Sequence, residues 1–271
     1  MSEFLNAVRA AADGGLDGVS DAVILAMSVV CGLLLIASVF ALFISIYLAI
    51  RYARYNRKQN SCGMTGEQVA RSILDRNGLE KIRFTKTGSI FFGNSYSHFF
   101  KKVRLRRLTW KKQSVTALAM AAQKSALAVL DKEHDADMKK RVRLTPVICL
   151  GPLACVPMVI LGVLLDLYIF KNTNGTYTIL LTSIGFAFYL LSFVMSILVL
   201  RTEKKAQKRA CELMRENGLA TEEELVMCRK LFRLYNIEYV NNMVIALLEL
   251  VYRVLQIIAY VQNSSSASSS S

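Results

Sequence analysis

Four long runs of apolar residues divide the chain and set its predicted architecture. They cover residues 22–50, 144–170, 177–200 and 240–261. Each run is long enough for a helix that crosses a bilayer, which needs about 20 residues. The polar residues 171–176 are too few for anything except a turn between the second and third runs. The pattern therefore predicts a mainly α-helical membrane protein with about four transmembrane helices.

Residues 51–143, between the first and second runs, have the shorter periodicities of a folded α+β domain. Thr65 and Gln68 have the spacing of a capping box, which begins a helix, and Gly78 is suited to end it. Short β-prone pieces separated by glycine follow this helix and predict a small β-hairpin. These pieces are residues 82–85, 89–92 and 99–105.

The most apolar part of this domain is the sixteen-residue stretch 115–130, VTALAMAAQKSALAVL. It is shorter than a membrane span, and its small, helix-favouring residues suit a helix that is packed on both sides. We expect this helix to run from residue 108 to residue 131. Gln123 and Lys124 interrupt the apolar run and are costly there, so they mark the place where polar chemistry is to be sought.

The segment after the third run, residues 201–239, is polar again and predicts further helices. The first of them ends at Gly218, and Thr221 with Glu224 forms a second capping box. After the last apolar run, the Ser-rich residues 262–271 have a composition typical of disorder.

Composition and charge indicate how the chain is placed in a membrane. It has 271 residues, of which 54% are hydrophobic, and a net charge of +14, which excludes an ordinary soluble globule. Residues 51–143 contain 22 Lys and Arg against 7 Asp and Glu. Because cytoplasmic loops are rich in Lys and Arg, we expect a multi-pass protein of the cell membrane. Residues 1–21 and the C-terminus would lie outside, and both polar segments would lie in the cytoplasm.

Seven basic residues of the domain form a candidate surface for anionic partners. Near a membrane each would favour acidic headgroups by roughly 1 kcal/mol, although the topology rule explains part of this charge. Anionic lipid and nucleic acid both stay open as ligands. This basic patch consists of Lys101, Lys102, Arg104, Arg106, Arg107, Lys111 and Lys112.

Other polar groups give weaker signals. His134, Asp135 and Asp137 carry donor atoms for a divalent cation, although such a cluster before a span is more often a solvated turn. Glu249 and Arg253 are four residues apart in the last run, which predicts an ion pair inside the membrane that serves helix packing rather than transport. We find no Ser–His–Asp set and no phosphate-binding glycine loop, and so no identifiable small-molecule substrate.

Three stretches carry a resemblance to a known family: SCGMTGEQVARSILDRNGL at 61–79, GSIFFGNSYSHFFKKVRLR at 88–106 and RTEKKAQKRACELMRENGLATEEEL at 201–225. They resemble the membrane-integral neutral zinc metallopeptidases of bacteria, the YugP-like family, and the order of apolar runs is similar too. The resemblance implies a cytoplasmic peptidase-like domain between the first two spans. That domain would contain a helix, a small hairpin and a catalytic helix, with zinc as the cofactor.

The catalytic helix of this family carries His-Glu-x-x-His, in which two histidines on one helical face bind zinc and the glutamate activates water. With Trp110 as the reference, the histidine positions fall on Gln123 and Leu127, and the glutamate position falls on Lys124. The resemblance places the third zinc ligand at Glu203. The chain therefore looks like a degenerate member that lacks the motif.

Simple magnitudes predict that this site takes no zinc. A catalytic zinc needs three protein ligands, and at least two are lost. A lysine ammonium about 4 Å from the ion would repel it by roughly 8 kcal/mol at an effective dielectric near 20. This is comparable with the roughly 10–16 kcal/mol that a complete structural site gains. We instead expect Lys124 and Glu203 to form an ion pair across the former cleft.

The function that these observations favour is that of a catalytically inactive relative of a zinc peptidase. Such a protein would act as a binding or scaffold protein in the membrane, with membrane lipids around it and a membrane protein or an active paralogue as its partner. Two alternatives stay open: a basic surface that binds anionic lipid or nucleic acid, and a zinc metallopeptidase with a rebuilt active site.

Overall fold

A computed structural model describes residues 1–11, 18–88, 93–170 and 176–269. Within these ranges, the side chains of residues 147–156, 260–261 and 264–269 are not described. The predicted strand at 89–92 and nearly all of the predicted turn at 171–176 lie outside the described residues. The chain divides into two compact units, residues 1–45 with 238–271 and residues 46–237.

The described part of the chain is mainly helical, with a small sheet of three strands. The helices are α1 (Ser2–Ala11), α2 (Asp21–Arg57), α3 (Gly66–Arg76), α4 (Arg107–Lys111), α5 (Val115–Lys132), α6 (Ala136–Leu164), α7 (Thr176–Glu216) and α8 (Glu222–Ser269). A π-helical turn, Leu165–Ile169, extends α6. The strands are β1 (Arg83–Thr87), β2 (Ser95–Ser97) and β3 (Lys102–Arg106).

Three described helices are long and apolar enough to cross a membrane: Asp21–Arg57, Thr176–Glu216 and the Glu222–Ala259 part of α8. They contain the first, third and fourth of the predicted runs. The second run lies in α6 and its π-helical turn, where most of the side chains before Pro157 are not described; its described end, Pro157–Ile169, is a shorter apolar helix.

Helices α7 and α8 continue without a break from their apolar parts into their polar parts. The predicted polar helices at residues 201–239 are therefore extensions of the two long helices. Gly218, at φ +63°, lies between them in the left-handed region where glycine is favoured. Helix α8 runs as far as Ser269, beyond the start of the predicted Ser-rich tail.

The smaller unit contains α1, the first part of α2 and the last part of α8. Near one end Ser20 N donates to Gln262 Oε1 at 3.0 Å, and near the other Ser45 Oγ donates to Glu238 Oε1 at 2.9 Å. These contacts show that the two helices run antiparallel. Between them, the amide of Asn241 donates to the carbonyl of Ala37 at 3.3 Å.

The larger unit is built around α5. Of the helix, Val115–Gln123 and Ser125–Leu130 are all buried, and α3 and α7 pack against it. Alanine-rich surfaces let helix axes approach closely, so one helix can be covered on several sides. The prediction that this helix is packed on both sides is confirmed.

The predicted helix 108–131 is wrong in its first part, because the chain breaks between α4 and α5. Ser114 has an extended backbone, and its hydroxyl accepts a hydrogen bond from Ala117 N at 3.2 Å. Two backbone bonds tie this break to the end of α2: Asn60 N to Gln113 O and Val115 N to Lys58 O, both 3.1 Å. A tertiary contact of this kind is invisible in the local periodicity.

The sheet has the order β1-β3-β2, with β1 parallel and β2 antiparallel to β3. Strands β2 and β3 form a hairpin as predicted, but only β3 lies in a predicted piece, since β2 falls between the pieces 89–92 and 99–105. The parallel pairing of β1 was not predicted. The Thr65 capping box of α3 is confirmed, with both of its reciprocal bonds present. Val103 and Leu105 alternate toward the core, as the sequence pattern indicated.

We predict that Gly66→Ala destabilises the larger unit. A Cβ atom at Gly66 would lie 2.1 Å from the carbonyl oxygen of Thr109, which is backbone and cannot swing away. Overpacking of this kind costs about 1–3 kcal/mol. Thermal unfolding in detergent is the measurement, with Gly88→Ala as the control, since nothing lies within 4 Å of a Cβ there. Equal melting temperatures for the two variants would contradict the prediction.

Candidate functional site

The polar pair in the middle of α5 meets a carboxylate from α7. Gln123 Nε2 donates to Glu203 Oε2 at 2.8 Å, and Lys124 Nζ donates to the same oxygen at 3.0 Å. The structure thus brings together the two residues for which an ion pair was expected. Glu203 lies beyond Leu200, the last residue of its apolar run, so this contact is in the polar part of α7.

A second cation completes the cluster. Arg141, on α6, places Nη2 2.9 Å from Glu203 Oε1, so each carboxylate oxygen has its own cationic partner. The three charged side chains are largely buried, with 13% (Lys124), 18% (Glu203) and 21% (Arg141) of their surfaces exposed. Sequence reasoning missed Arg141, because it stands in a run of basic residues where no spacing distinguishes it.

The cluster keeps Glu203 charged over the whole physiological range. Burial alone would raise the pKa of Glu203, but the charges and hydrogen bonds of Lys124 and Arg141 outweigh it and lower the pKa to about 2. Such a group contributes stability that is present above its unfolded pKa and is lost as the pH falls through the folded one.

The donor set at this place does not fit zinc. Gln123 and Lys124 both point N–H groups at Glu203, and Leu127, 1% exposed, contributes hydrocarbon to the core. Of these positions only Glu203 offers an anionic oxygen, and both of its oxygens are engaged. A catalytic zinc site needs three ligands and an open position, so the residues present supply neither.

The weak cation candidates at the start of α6 are also engaged. Asp135 and Asp137 both face Lys205 of α7, whose Nζ lies 2.9 Å and 2.6 Å from their carboxylate oxygens. These hydrogen bonds raise the pKa of Lys205. His134 is exposed in a left-handed turn with φ 58°. Asp135 also caps α6 through the backbone amides of Asp137 and Met138, so this turn is a helix cap with an ion pair.

A second buried carboxylate, Asp131, lies near the end of α5, away from the Glu203 cluster. It accepts hydrogen bonds from Tyr96 Oη and shares a 2.6 Å contact with His98 Nδ1, while Lys101 Nζ is 3.6 Å away. Burial acts to raise the pKa of Asp131, but these partners lower it overall. Burial and Asp131 together raise the pKa of Tyr96.

Asp131 forms part of the wall of an open cleft of about 820 Å³. The cleft lies beside β2, between the end of α5, the start of α6 and the loop before β1. Its charged residues are mostly basic: Lys81, Lys101, Lys132, Lys139 and Arg143 against Glu80 and Asp131. The sequence alone gave no reason to place His98 in a site. The fold shows that this partly exposed side chain lines the cleft.

The other predicted groups are spread over the surface. Within the basic patch, Lys101, Arg106, Arg107, Lys111 and Lys112 are exposed, and Lys102 and Arg104 are half-buried. Phe99 and Phe100 lie beside it and are 63% and 71% exposed. Glu249 and Arg253 are exposed on α8, and the predicted ion pair between them is absent from the ion pairs within 4.0 Å that the described residues form.

Together these features define a class: a mainly helical membrane protein with a small three-stranded sheet and a buried helix that carries a polar cluster. The model of a family described as "Putative neutral zinc metallopeptidase" matches residues 30–258. The chain belongs to this family, which confirms the resemblance found in its sequence.

The chain is also similar to the "Putative membrane protease YugP" of Bacillus subtilis (strain 168). The two are 24% identical over 204 residues, which cover 73% of this chain and 83% of that protein. No solved structure matches the chain.

We predict that Glu203→Gln destabilises the protein by about 3 kcal/mol, because it leaves two largely buried cations without an anion. Adding Lys124→Met should recover part of this loss, since one of the orphaned charges is then removed. Thermal unfolding of the single and double variants measures the coupling. Glu216→Gln, which alters an exposed carboxylate of the same helix (58% exposed), is the control and should change little. Strictly additive effects would argue against the cluster.

We predict a matching pH dependence. The ordinary pKa of a glutamate is 4.5, and above about this pH the charged form of Glu203 stabilises the fold fully. This contribution of roughly 3 kcal/mol is lost as the pH falls toward 2, the lowered pKa of Glu203. The stability difference between the native chain and Glu203→Gln should therefore shrink between pH 5 and pH 2. A difference that stays constant over this range would show that Glu203 is not held charged by its neighbours.

Proposed function

We propose that this chain is a catalytically inactive member of the zinc metallopeptidase family and serves as a binding or scaffold protein in the membrane. The observation that carries the proposal is the engagement of both Glu203 oxygens by Lys124 and Arg141. The negative charge of this carboxylate is already balanced by the two cations, and each of its oxygens already has a short contact with one of them.

The position of the former general base supports the same proposal. A general base must be able to accept a proton from a zinc-bound water, and Lys124 instead donates to Glu203. The frame of the site is kept, however, because α5 remains buried and contacts α7. We infer that the ion cluster now does the structural work of joining α5, α6 and α7.

A binding role needs a surface as well as a lost site. The cleft beside Asp131 is large enough, at about 820 Å³, to hold several side chains of a partner segment. Its excess of lysine and arginine favours an acidic segment. The partner in this proposal is a membrane protein or an active paralogue, with the peptidase-like domain of residues 51–143 as the contact region.

The membrane arrangement that accompanies this proposal has four spans, with α6 as the second. The N-terminus lies outside and the basic segments lie in the cytoplasm, as the distribution of Lys and Arg favours. Three apolar helices of the described chain support this arrangement.

The basic patch supports a second candidate function, binding to an anionic lipid surface. Exposed Phe99 and Phe100 lie beside Lys101 and Lys102, and aromatic rings next to basic side chains are typical of surfaces that contact lipid headgroups. Nucleic acid binding has no comparable observation in its favour.

We predict that the purified full-length chain carries far less than one zinc ion per molecule and gains no thermal stability from added zinc. Elemental analysis after purification without chelators is the measurement. The variant Gln123→His, Lys124→Glu, Leu127→His, with Arg141→Gln to release Glu203, is the positive control. It restores the ligand set, so it should take up zinc. About one zinc per native chain, or chelator-sensitive peptidase activity, would overturn the proposal.

A further inference from the structure

A basic cleft lies between the polar part of α7 and the first part of α8. It has a volume of about 450 Å³. Five basic residues and one acidic residue line it: Lys204, Lys208, Arg215, Arg229, Arg233 and Glu212. Neither the degenerate zinc site nor the basic patch includes any of them.

Four of these cations form no ion pair within 4.0 Å among the described residues, although the charge of Arg229 acts on Glu222. Lys204 and Lys208 follow each other by one turn on α7, and Arg229 and Arg233 do the same on α8; all four are exposed. The other charges are already matched: Arg215 contacts Glu222 at 2.7 Å and Glu212 contacts Arg209 at 3.5 Å. The cleft therefore presents four positive charges that have no close carboxylate partner among the described residues.

Specific contacts hold the two walls of the cleft, α7 and α8, in a fixed position. Gln207 and Asn236 exchange two amide hydrogen bonds of 2.9 Å and 2.8 Å across it, which sets the distance between the helices. Phe232, 3% exposed, lines the cleft and belongs to the core of the larger unit, so it anchors α8. A rigid groove loses little entropy when it binds a ligand.

The distance of the cleft from the end of the apolar part of α7 indicates which kind of ligand it binds. The apolar run ends at Leu200, so Lys204 and Lys208 begin about 6 Å and 12 Å farther along the helix. The headgroup layer of a bilayer extends roughly 5–8 Å beyond the hydrocarbon core. Lysine side chains are long enough to reach back over that distance, so both ammonium groups can meet lipid phosphates.

We propose that this cleft binds the phosphate-bearing headgroup of an anionic phospholipid, whose acyl chains lie along the apolar surface of α7. Four unpaired cations exceed what one phosphate needs, so a lipid with a net negative charge is preferred over a zwitterionic one. The site does not depend on whether the chain is a peptidase, because it shares no residue with the Glu203 cluster.

The test compares the full-length chain with a variant that carries Lys204→Gln, Lys208→Gln, Arg229→Gln and Arg233→Gln. The matched control carries Arg54→Gln, Arg57→Gln, Lys58→Gln and Lys140→Gln. These two arginines and two lysines are also exposed and lie near the polar ends of membrane-directed helices, but they line a different part of the protein. Both variants lose the same charge.

Thermal shifts in a neutral detergent are measured with short-chain phosphatidylglycerol, short-chain phosphatidylcholine and inorganic phosphate. We expect phosphatidylglycerol to stabilise the native chain and the control variant. The cleft variant should need about tenfold more of it for the same shift. Without lipid, all three chains should melt alike, which shows that the cleft variant is folded.

Three results would overturn the proposal. Equal stabilisation by phosphatidylcholine would remove the preference for anionic lipid. Stabilisation by inorganic phosphate equal to that by phosphatidylglycerol would identify a soluble anion as the ligand. An equal loss in the control variant would show that net charge, and not the cleft, attracts the lipid.

Discussion

The burial of α5 is the constraint on which the larger unit depends. Every residue from Val115 to Leu130 except Lys124 is buried, so the helix can carry a charged group only where a neighbour supplies its partner. Glu203 of α7 meets this need for Lys124, and Arg141 of α6 pairs with the other oxygen of Glu203. The same ion pairs therefore hold these three helices together and define the chemistry of the site.

In the function that we propose, an ion cluster replaces a metal site and keeps a buried helix junction closed. In a zinc site the cation comes from solution and the protein supplies anions and imidazoles. In this chain the cations are part of the protein and Glu203 is the shared anion. Both arrangements tie the helices together, but only the metal leaves an open coordination position for a substrate. The loss of chemistry and the retention of the frame are thus compatible.

The sequence predicted much of the framework because its signals are local. Capping at Thr65, the strand β3 and the burial of α5 follow from spacing and periodicity. It was wrong about the start of α5, since the backbone bonds that separate α4 from α5 come from the distant end of α2. It also gave no sign that β1 would pair in parallel with β3, because that pairing joins residues that no short turn connects.

At the site, the sequence by itself determined the residue types, Gln123, Lys124 and Leu127, which the family resemblance predicts to stand at the motif's two histidine positions and its glutamate position. Only the tertiary structure decided what replaces them. It added Arg141 from α6, directed Asp135 and Asp137 to Lys205, and left Glu249 and Arg253 apart on the surface of α8. The reason is that residue types and spacings specify what a helix carries, whereas the partners of a buried charge depend on which helices pack together.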